Sequence, residues 1–132
     1  MRFLKEIIAI IIIMGLLIIS ELYISSVTNK SIEEAEGKIS YLMENILNEN
    51  NYIKEEEIKK IEAFENEWKE IENKLAYFTE HDELEKVSVI IPLIKANVEA
   101  DLRQDAYEKM HEIKFRIEHI KTKQKFELNN FF

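Results

Sequence analysis

The chain has 132 residues, a formal net charge of −8 at pH 7 and charged side chains at one third of its positions. Because it contains no cysteine, disulfide frameworks, thiol catalysis and thiolate metal sites are excluded, and its acidic balance disfavours nucleic-acid binding, which requires a basic face. Two glycines and one proline leave few helix breakers, so the composition predicts an all-α protein with short connections.

The first predicted element is an apolar segment near the N-terminus. Residues 7–20 contain no charge, and Glu21 is the single charged residue between positions 7 and 27. A transmembrane helix needs about 20 residues to cross about 30 Å of hydrocarbon. Tyr23 and Glu21 suit the outer interface, where an aromatic ring and a hydrated carboxylate are both tolerated. The sequence therefore predicts a transmembrane signal-anchor helix over residues 7–27.

The flanks of this segment predict its orientation. Arg2 and Lys5 precede it, whereas acidic residues dominate the stretch that follows Lys30. Because basic flanks stay in the cytoplasm, residues 1–6 are predicted to be cytoplasmic and residues 28–132 to form an extracytoplasmic α-helical domain. We therefore expect a single-pass protein of the cell membrane.

Two other interpretations of the apolar segment remain open. A basic start followed by an apolar core is also typical of a secretory signal, and cleavage would release a secreted helical protein. Cleavage needs two small residues separated by one position, but Ile18, Tyr23 and Ile24 stand two residues before the serines at 20, 25 and 26. A soluble core helix is disfavoured because the segment is apolar on all sides. The anchor is the favoured interpretation.

Two amphipathic helices are predicted next. Ser31 followed by Glu34 forms a capping box that opens a helix over residues 31–47, and the asparagine-rich residues 48–51 end it. A longer helix follows over residues 52–79. Its apolar residues have helical spacing and are Ile61, Phe64, Trp68, Ile71, Leu75 and Phe78. Each helix therefore has one face to bury.

The third helix of the domain is predicted over residues 83–98. Asp82 followed by Glu85 is a second capping box at its start. Pro92 lies inside this helix and predicts a kink or a break. Residues 87–91 also suit a strand by propensity, but no partner strand is predicted elsewhere, so a helix is favoured.

A last helix is predicted over residues 102–120, with Asp101 as its N-cap. Short connections between successive helices favour antiparallel neighbours. The predicted fold is therefore all-α, with an N-terminal transmembrane helix followed by an antiparallel four-helix bundle or two stacked helical hairpins. Four apolar residues of the tail are candidates to fold back onto the bundle: Phe126, Leu128, Phe131 and Phe132.

The polar residues form no recognisable catalytic or metal-binding constellation. Glu108 and His111 have the Glu-x-x-His spacing of di-iron bundles, but the matching position before His119 is Arg116. A zinc-protease helix would need a second histidine where Phe115 stands. We therefore predict no metal, no cofactor, no small-molecule substrate and no enzymatic activity.

One local basic cluster lies near the C-terminus, and it has two interpretations. It is either a face paired with acids of the same domain or a surface that contacts anionic lipid headgroups. Its members are Lys114, Arg116, Lys121, Lys123 and Lys125.

Three elements of the sequence resemble a family of small membrane-anchored proteins from clostridia and related Firmicutes, known as domain of unknown function 4363. They are Glu67-Trp68, the run HDELEKV at 81–87, and the C-terminal runs KFRIEHI and KFELNNFF. The chain departs from the family pattern at residues 92–94, where Pro-Leu-Ile replaces an Ala-Arg-Leu run. The resemblance implies a membrane anchor and a helical domain, and it implies no reaction.

These observations predict a single-pass membrane protein with a noncatalytic helical interaction domain. Amphipathic stripes without a convergent polar site favour a protein partner or self-association. A nucleic-acid partner is not expected. Two alternatives stay open: a membrane-surface or anionic-lipid-binding sensor that uses the basic C-terminal helix, and a secreted helical protein left after signal cleavage.

Overall fold

A computed structural model describes residues 2–75 and 81–131, apart from the side chains of residues 24, 25, 28 and 124–131. The helices in these ranges are α1 (Arg2–Ile46), α2 (Lys54–Leu75), α3 (His81–Glu99) and α4 (Arg103–Phe131). Since no strand occurs in the described ranges, the all-α prediction is confirmed and the strand alternative at 87–91 is wrong.

The N-terminal half of α1 is the predicted apolar helix. Its stretch Arg2–Tyr23 is long and apolar enough to cross a membrane, and none of it is buried against the rest of the chain. This length and composition suit both a membrane anchor and a signal sequence.

The helix α1 continues from the apolar segment into the domain, as one element of 45 residues. The predicted start of a separate helix at Ser31 is therefore wrong, because Ser31 lies in the interior of α1. Between Val27 and Ser31 the sequence has neither glycine nor proline, so nothing interrupts the ladder of backbone hydrogen bonds. The end of α1 is as predicted, since residues 48–51 form a turn in which the Asn50 amide donates to Asn48 Oδ1 at 3.1 Å.

The C-terminal half of α1 packs with the other three helices around one apolar core. α1 contacts α2 and α4, and α3 contacts the same two helices. Burial of one large apolar side chain contributes about 1.5–3 kcal/mol. The largest fully buried side chains are Trp68, Ile32, Ile39, Ile46, Ile61, Leu75, Leu84, Ile91, Ile94, Met110, Ile113 and Ile117. The predicted helical bundle is confirmed. Phe78, predicted on the α2 stripe, lies outside the described residues.

The helix α3 runs without interruption through Pro92, so the predicted break is wrong and the alternative of a kink stays a prediction. The proline removes the N–H that would bond the Ser88 carbonyl. Pro92 is exposed, while buried residues on the opposite side of α3 fix the helix against α2 and α4. This packing maintains the helix across the missing hydrogen bond. α3 begins at His81, so Asp82 lies in its first turn and not at the predicted capping position.

Asp101 ends α3 and does not cap α4 as predicted. It has a positive φ of 61°, and its amide donates to the Val98 carbonyl at 3.1 Å while the Leu102 amide donates to Asn97 at 2.8 Å. These two bonds form a Schellman motif, in which the residue after the helix adopts the left-handed conformation. The turn brings the chain directly into α4 at Arg103.

The helix α4 is longer than predicted, since its backbone continues past residue 120 to Phe131. The tail is therefore a continuation of α4 and not a separate segment. The side chains of its four apolar residues lie outside the described part, and their predicted packing stays a prediction.

Candidate functional site

The end of the bundle farthest from the apolar segment, here called the distal end, joins residues from all four helices. Arg103, at the start of α4, donates from Nε to the carbonyl of Ile46, the last residue of α1, at 2.7 Å. Its guanidinium also lies over the Tyr52 ring, 3.9 Å from the ring centroid. Lys54 of α2 pairs with Asp101 after α3 at 3.2 Å. Arg103 therefore caps the carbonyl end of α1 and links it to the loop before α2.

Glu57 is the buried charged residue of this end. Only 1% of its surface is exposed, in the first turn of α2. Its Oε1 lies 3.5 Å from Lys60 Nζ, and its Oε2 has no hydrogen-bond partner among the described residues. Burial raises the pKa of the Glu57 carboxyl, against the opposing effect of Lys60. The free-energy cost of burying this carboxylate therefore exceeds the stabilisation from its ion pair with Lys60.

Tyr52, Glu57 and Arg103 together are called the distal cluster below. The Tyr52 hydroxyl and Arg103 Nη2 are, like Glu57 Oε2, buried without a hydrogen-bond partner in the described part of the chain. Burial also raises the pKa of the Tyr52 hydroxyl, which the nearby Arg103 opposes. Buried polar groups are normally bonded to protein or to ordered water. The burial of these three atoms is therefore not fully compensated by hydrogen bonds within the described part of the chain.

The Glu67-Trp68 pair links α2 to two neighbouring helices. Glu67 forms an ion pair with Lys38 of α1, and Trp68 donates from Nε1 to Ser88 Oγ of α3 at 3.1 Å. The Ser88 hydroxyl in turn donates to Glu72 Oε2 at 2.8 Å. These polar bonds surround a tryptophan that is 1% exposed, so the pair has a structural role in helix packing.

A surface groove lies between α1 and α2, on the side of the bundle nearer the apolar segment. It has a volume of about 270 Å³. Acids and bases alternate around an apolar floor, so the groove offers no single charge or reactive group to a ligand. Its lining residues are Ser31, Glu34, Ala35, Lys38, Glu67, Glu70, Ile71 and Lys74.

The residues considered as candidate metal ligands lie on the outside of α4. Glu108, His111 and His119 are all exposed. Within residues 2–75 and 81–131, no group of three or more histidine, aspartate or glutamate side chains is placed to hold a metal ion. The structure therefore does not bring Glu108 and His111 together with further ligands.

Two members of the basic cluster of α4, Arg116 and Lys121, form ion pairs with acids. Arg116 Nη2 lies 3.4 Å from Glu112, and Lys121 Nζ lies 3.9 Å from Glu33 and 3.8 Å from Glu36 of α1. Lys125 lies outside the described side chains. These ion pairs support the interpretation of an acid-paired face over that of a lipid-binding patch.

The outer side of α3 carries an apolar face exposed to solvent. Val89 is 58% exposed and Leu93 is 49% exposed, and Pro92 and Ala96 are exposed beside them. These four positions share one side of the helix because they are spaced by three, four and seven residues. We call them the α3 face.

A comparison with protein families identifies the family of this chain. The model of a domain of unknown function (DUF4363) matches residues 22–131, more than four fifths of the chain. The chain belongs to this family. The DUF4363 match begins at Leu22, where the apolar segment ends, and it includes the whole bundle. Searches of curated proteins and of solved structures gave no significant match.

The distal cluster of the DUF4363 domain is not predicted by the sequence patterns described above. Glu57 stands four residues before Ile61 and therefore continues the buried stripe of α2, a signal that predicts its burial. Arg103 gives no comparable signal, because its partners Ile46 and Tyr52 are more than fifty positions away in sequence.

Proposed function

We propose that this protein crosses a membrane once through the first half of α1 and presents a noncatalytic bundle outside the cytoplasm, where the α3 face binds protein. The main support for this proposal is the structure of α1. Its apolar stretch is unburied on every side, and the same helix supplies one wall of the bundle. Lipid is the environment that suits such a surface.

An uncleaved anchor is supported by the continuity of α1. Cleavage at the serines of positions 20, 25 or 26 would cut within a helix, at positions that lack the small-x-small pattern. The basic residues Arg2 and Lys5 favour a cytoplasmic N-terminus.

The arrangement that fits the contacts is an antiparallel four-helix bundle in preference to two stacked hairpins. Each helix contacts its neighbours in sequence, and α4 contacts α1. The end of α1 meets the start of α4 through Arg103, and the start of α2 meets the end of α3 through Lys54. Alternating helix directions account for both meetings.

The α3 face supports the binding of a protein. A water-exposed helix that carries Val89 and Leu93 beside Pro92 and Ala96 can bury them against an apolar partner surface, at about 1.5–3 kcal/mol for a large side chain. Copies anchored in one membrane share one orientation, so this face can meet either another protein or the same face of a second copy.

Membrane topology is tested by fusing a reporter that is active only in the cytoplasm to the C-terminus. An inactive fusion is expected, and strong activity would exclude an extracytoplasmic domain. N-terminal sequencing of the membrane-bound protein should return the original terminus. A new terminus between residues 20 and 27 would show a cleaved signal.

Binding is tested by placing a photocrosslinking amino acid at Leu93 in the full chain in its membrane. The matched control carries it at Lys69, which is exposed on α2. An adduct from position 93 and not from 69 is expected, and its mass distinguishes a second copy from another protein. Equal yields at the two positions, or none at either, would contradict binding through the α3 face.

A further inference from the structure

The C-terminal turns of α4 extend beyond the packed core toward the apolar segment. Lys121 lies opposite Glu33 and Glu36 of α1, while Arg103 meets Ile46 at the distal end. These two contacts show that α4 runs along α1 in the opposite direction. Any residue of α4 beyond Lys121 is therefore closer to the apolar segment than Glu33 is.

Helix geometry gives the level that α4 reaches. From Lys121 to the end of α4 at Phe131 there are ten residues, and from Glu33 back to Tyr23 there are also ten. At 1.5 Å per residue, each stretch covers about 15 Å. Counted from Glu36, which Lys121 also approaches, ten residues back reach Ser26, so the end of α4 lies at the level of residues 23–26, where the membrane-spanning stretch ends.

The sequence of this end suits a membrane interface. Basic positions at 121, 123 and 125 are followed by Phe126, Leu128 and Phe131. Aromatic residues are enriched at the headgroup level of membranes, and short apolar helix ends bind there. Since Lys121 is engaged by Glu33 and Glu36, charge attraction to anionic lipid is not the expected driving force.

We infer that the last turns of α4 lie in the headgroup layer of the membrane that α1 crosses, and that they bind it through apolar contacts. This is a second attachment point, and it rests on the proposed function because it requires α1 to span the membrane. Two attachments on adjacent helices hold one end of the bundle at the membrane surface.

The test uses the full chain in nanodiscs of neutral phosphatidylcholine. The natural sequence has no cysteine, so single substitutions carry one nitroxide label each: Asn129→Cys at the end of α4, Asn50→Cys at the distal end and Gly15→Cys within the apolar segment. An added Cβ at Gly15 has no atom within 4 Å. The depth of each label is read from its relative collision rates with oxygen and with a water-soluble nickel complex.

The expected result is a graded series of depths. The label at position 15 lies in hydrocarbon, the label at 129 lies at the headgroup level, and the label at 50 lies in water. A label at 129 that is as accessible to nickel as the label at 50, with 15 still in hydrocarbon, overturns the inference alone. A water-accessible label at 15 overturns the proposed function.

Lipid composition separates apolar from charge-driven attachment. Repeating the measurement with one third anionic lipid should leave the depth at position 129 unchanged. A label that reaches the headgroup level only with anionic lipid would overturn the apolar basis of the attachment.

Discussion

Replacing Glu57 with methionine is expected to stabilise the bundle at pH 7. The substitution keeps the unbranched stem and approximate length of a side chain that is 1% exposed and removes a carboxylate oxygen, Oε2, that lacks a partner among the described residues. An unsatisfied buried polar group costs about 1–3 kcal/mol. The ion pair lost with Lys60, which is 38% exposed, contributes up to about 1 kcal/mol. The expected net gain is about 1–2 kcal/mol.

The stabilising effect of Glu57→Met is expected to depend on pH. Burial raises the pKa of Glu57 above its ordinary value of 4.5, so the folded protein holds the proton more tightly than the unfolded chain. The stability that Glu57 contributes is therefore fully present below pH 4.5 and is lost as the pH rises through the folded-state pKa. The advantage of methionine should be largest at pH 7 and shrink as the pH falls to 4.

The assay is urea unfolding followed by circular dichroism, on a chain that starts at residue 22 with the family match. Residues 2–23 are not buried against the bundle, so this chain keeps the core. The control is Glu56→Met, because Glu56 is exposed beside Glu57 and should change stability by less than about 0.5 kcal/mol. A loss of stability in Glu57→Met at pH 7, or a gain that does not depend on pH, would refute the reasoning.

Three further substitutions are expected to change the unfolding free energy in the same assay. Ser88→Ala should cost about 1 kcal/mol because Trp68 Nε1 loses its acceptor at 3.1 Å and keeps the longer bond to the Leu84 carbonyl at 3.4 Å, and a control Ser40→Ala should cost much less. Asp101→Gly should add up to about 1 kcal/mol, since glycine adopts a φ of 61° without strain and the ion pair lost with Lys54 is exposed and therefore weak; a loss as large as that of Asp101→Ala would contradict this. Pro92→Ala should add about 1 kcal/mol or more by restoring a helix hydrogen bond, and no gain would mean that packing has already offset the missing bond.

Periodicity was sufficient to predict the helical bundle, and local signals were least reliable at helix ends. Ser31 has the sequence of a capping box, but a cap is needed only where the preceding backbone leaves amides unbonded. In this chain the preceding turn of α1 supplies carbonyl acceptors for the amides that follow Ser31. The capping box therefore does not start a new helix. Asp82 and Asp101 were misassigned for a related reason, since a short acidic side chain suits a helix start, a first turn and a left-handed residue alike.

The distal cluster was predictable in part. The position of Glu57 on the α2 stripe indicates burial, because a residue four before Ile61 faces the same side. The role of Arg103 depends on which helix ends meet, and that follows from tertiary packing of α1 against α4. The α3 face was not predicted because three of its four residues, Val89, Pro92 and Leu93, lie in the run VSVIIPLI, where buried and exposed apolar positions are mixed.

In the proposed topology, the continuity of α1 makes the position of the bundle depend on the tilt of the membrane-spanning stretch. Transmembrane helices change their tilt when bilayer thickness changes. Ile46 lies 23 residues beyond Tyr23 on the same helix, or about 35 Å at 1.5 Å per residue. A tilt change of about 10° would thus displace the distal cluster sideways by about 6 Å, which a label at Asn50 can report in bilayers of different thickness. In the proposed topology, a change in membrane thickness therefore displaces the distal end more than the parts of the bundle nearer the membrane.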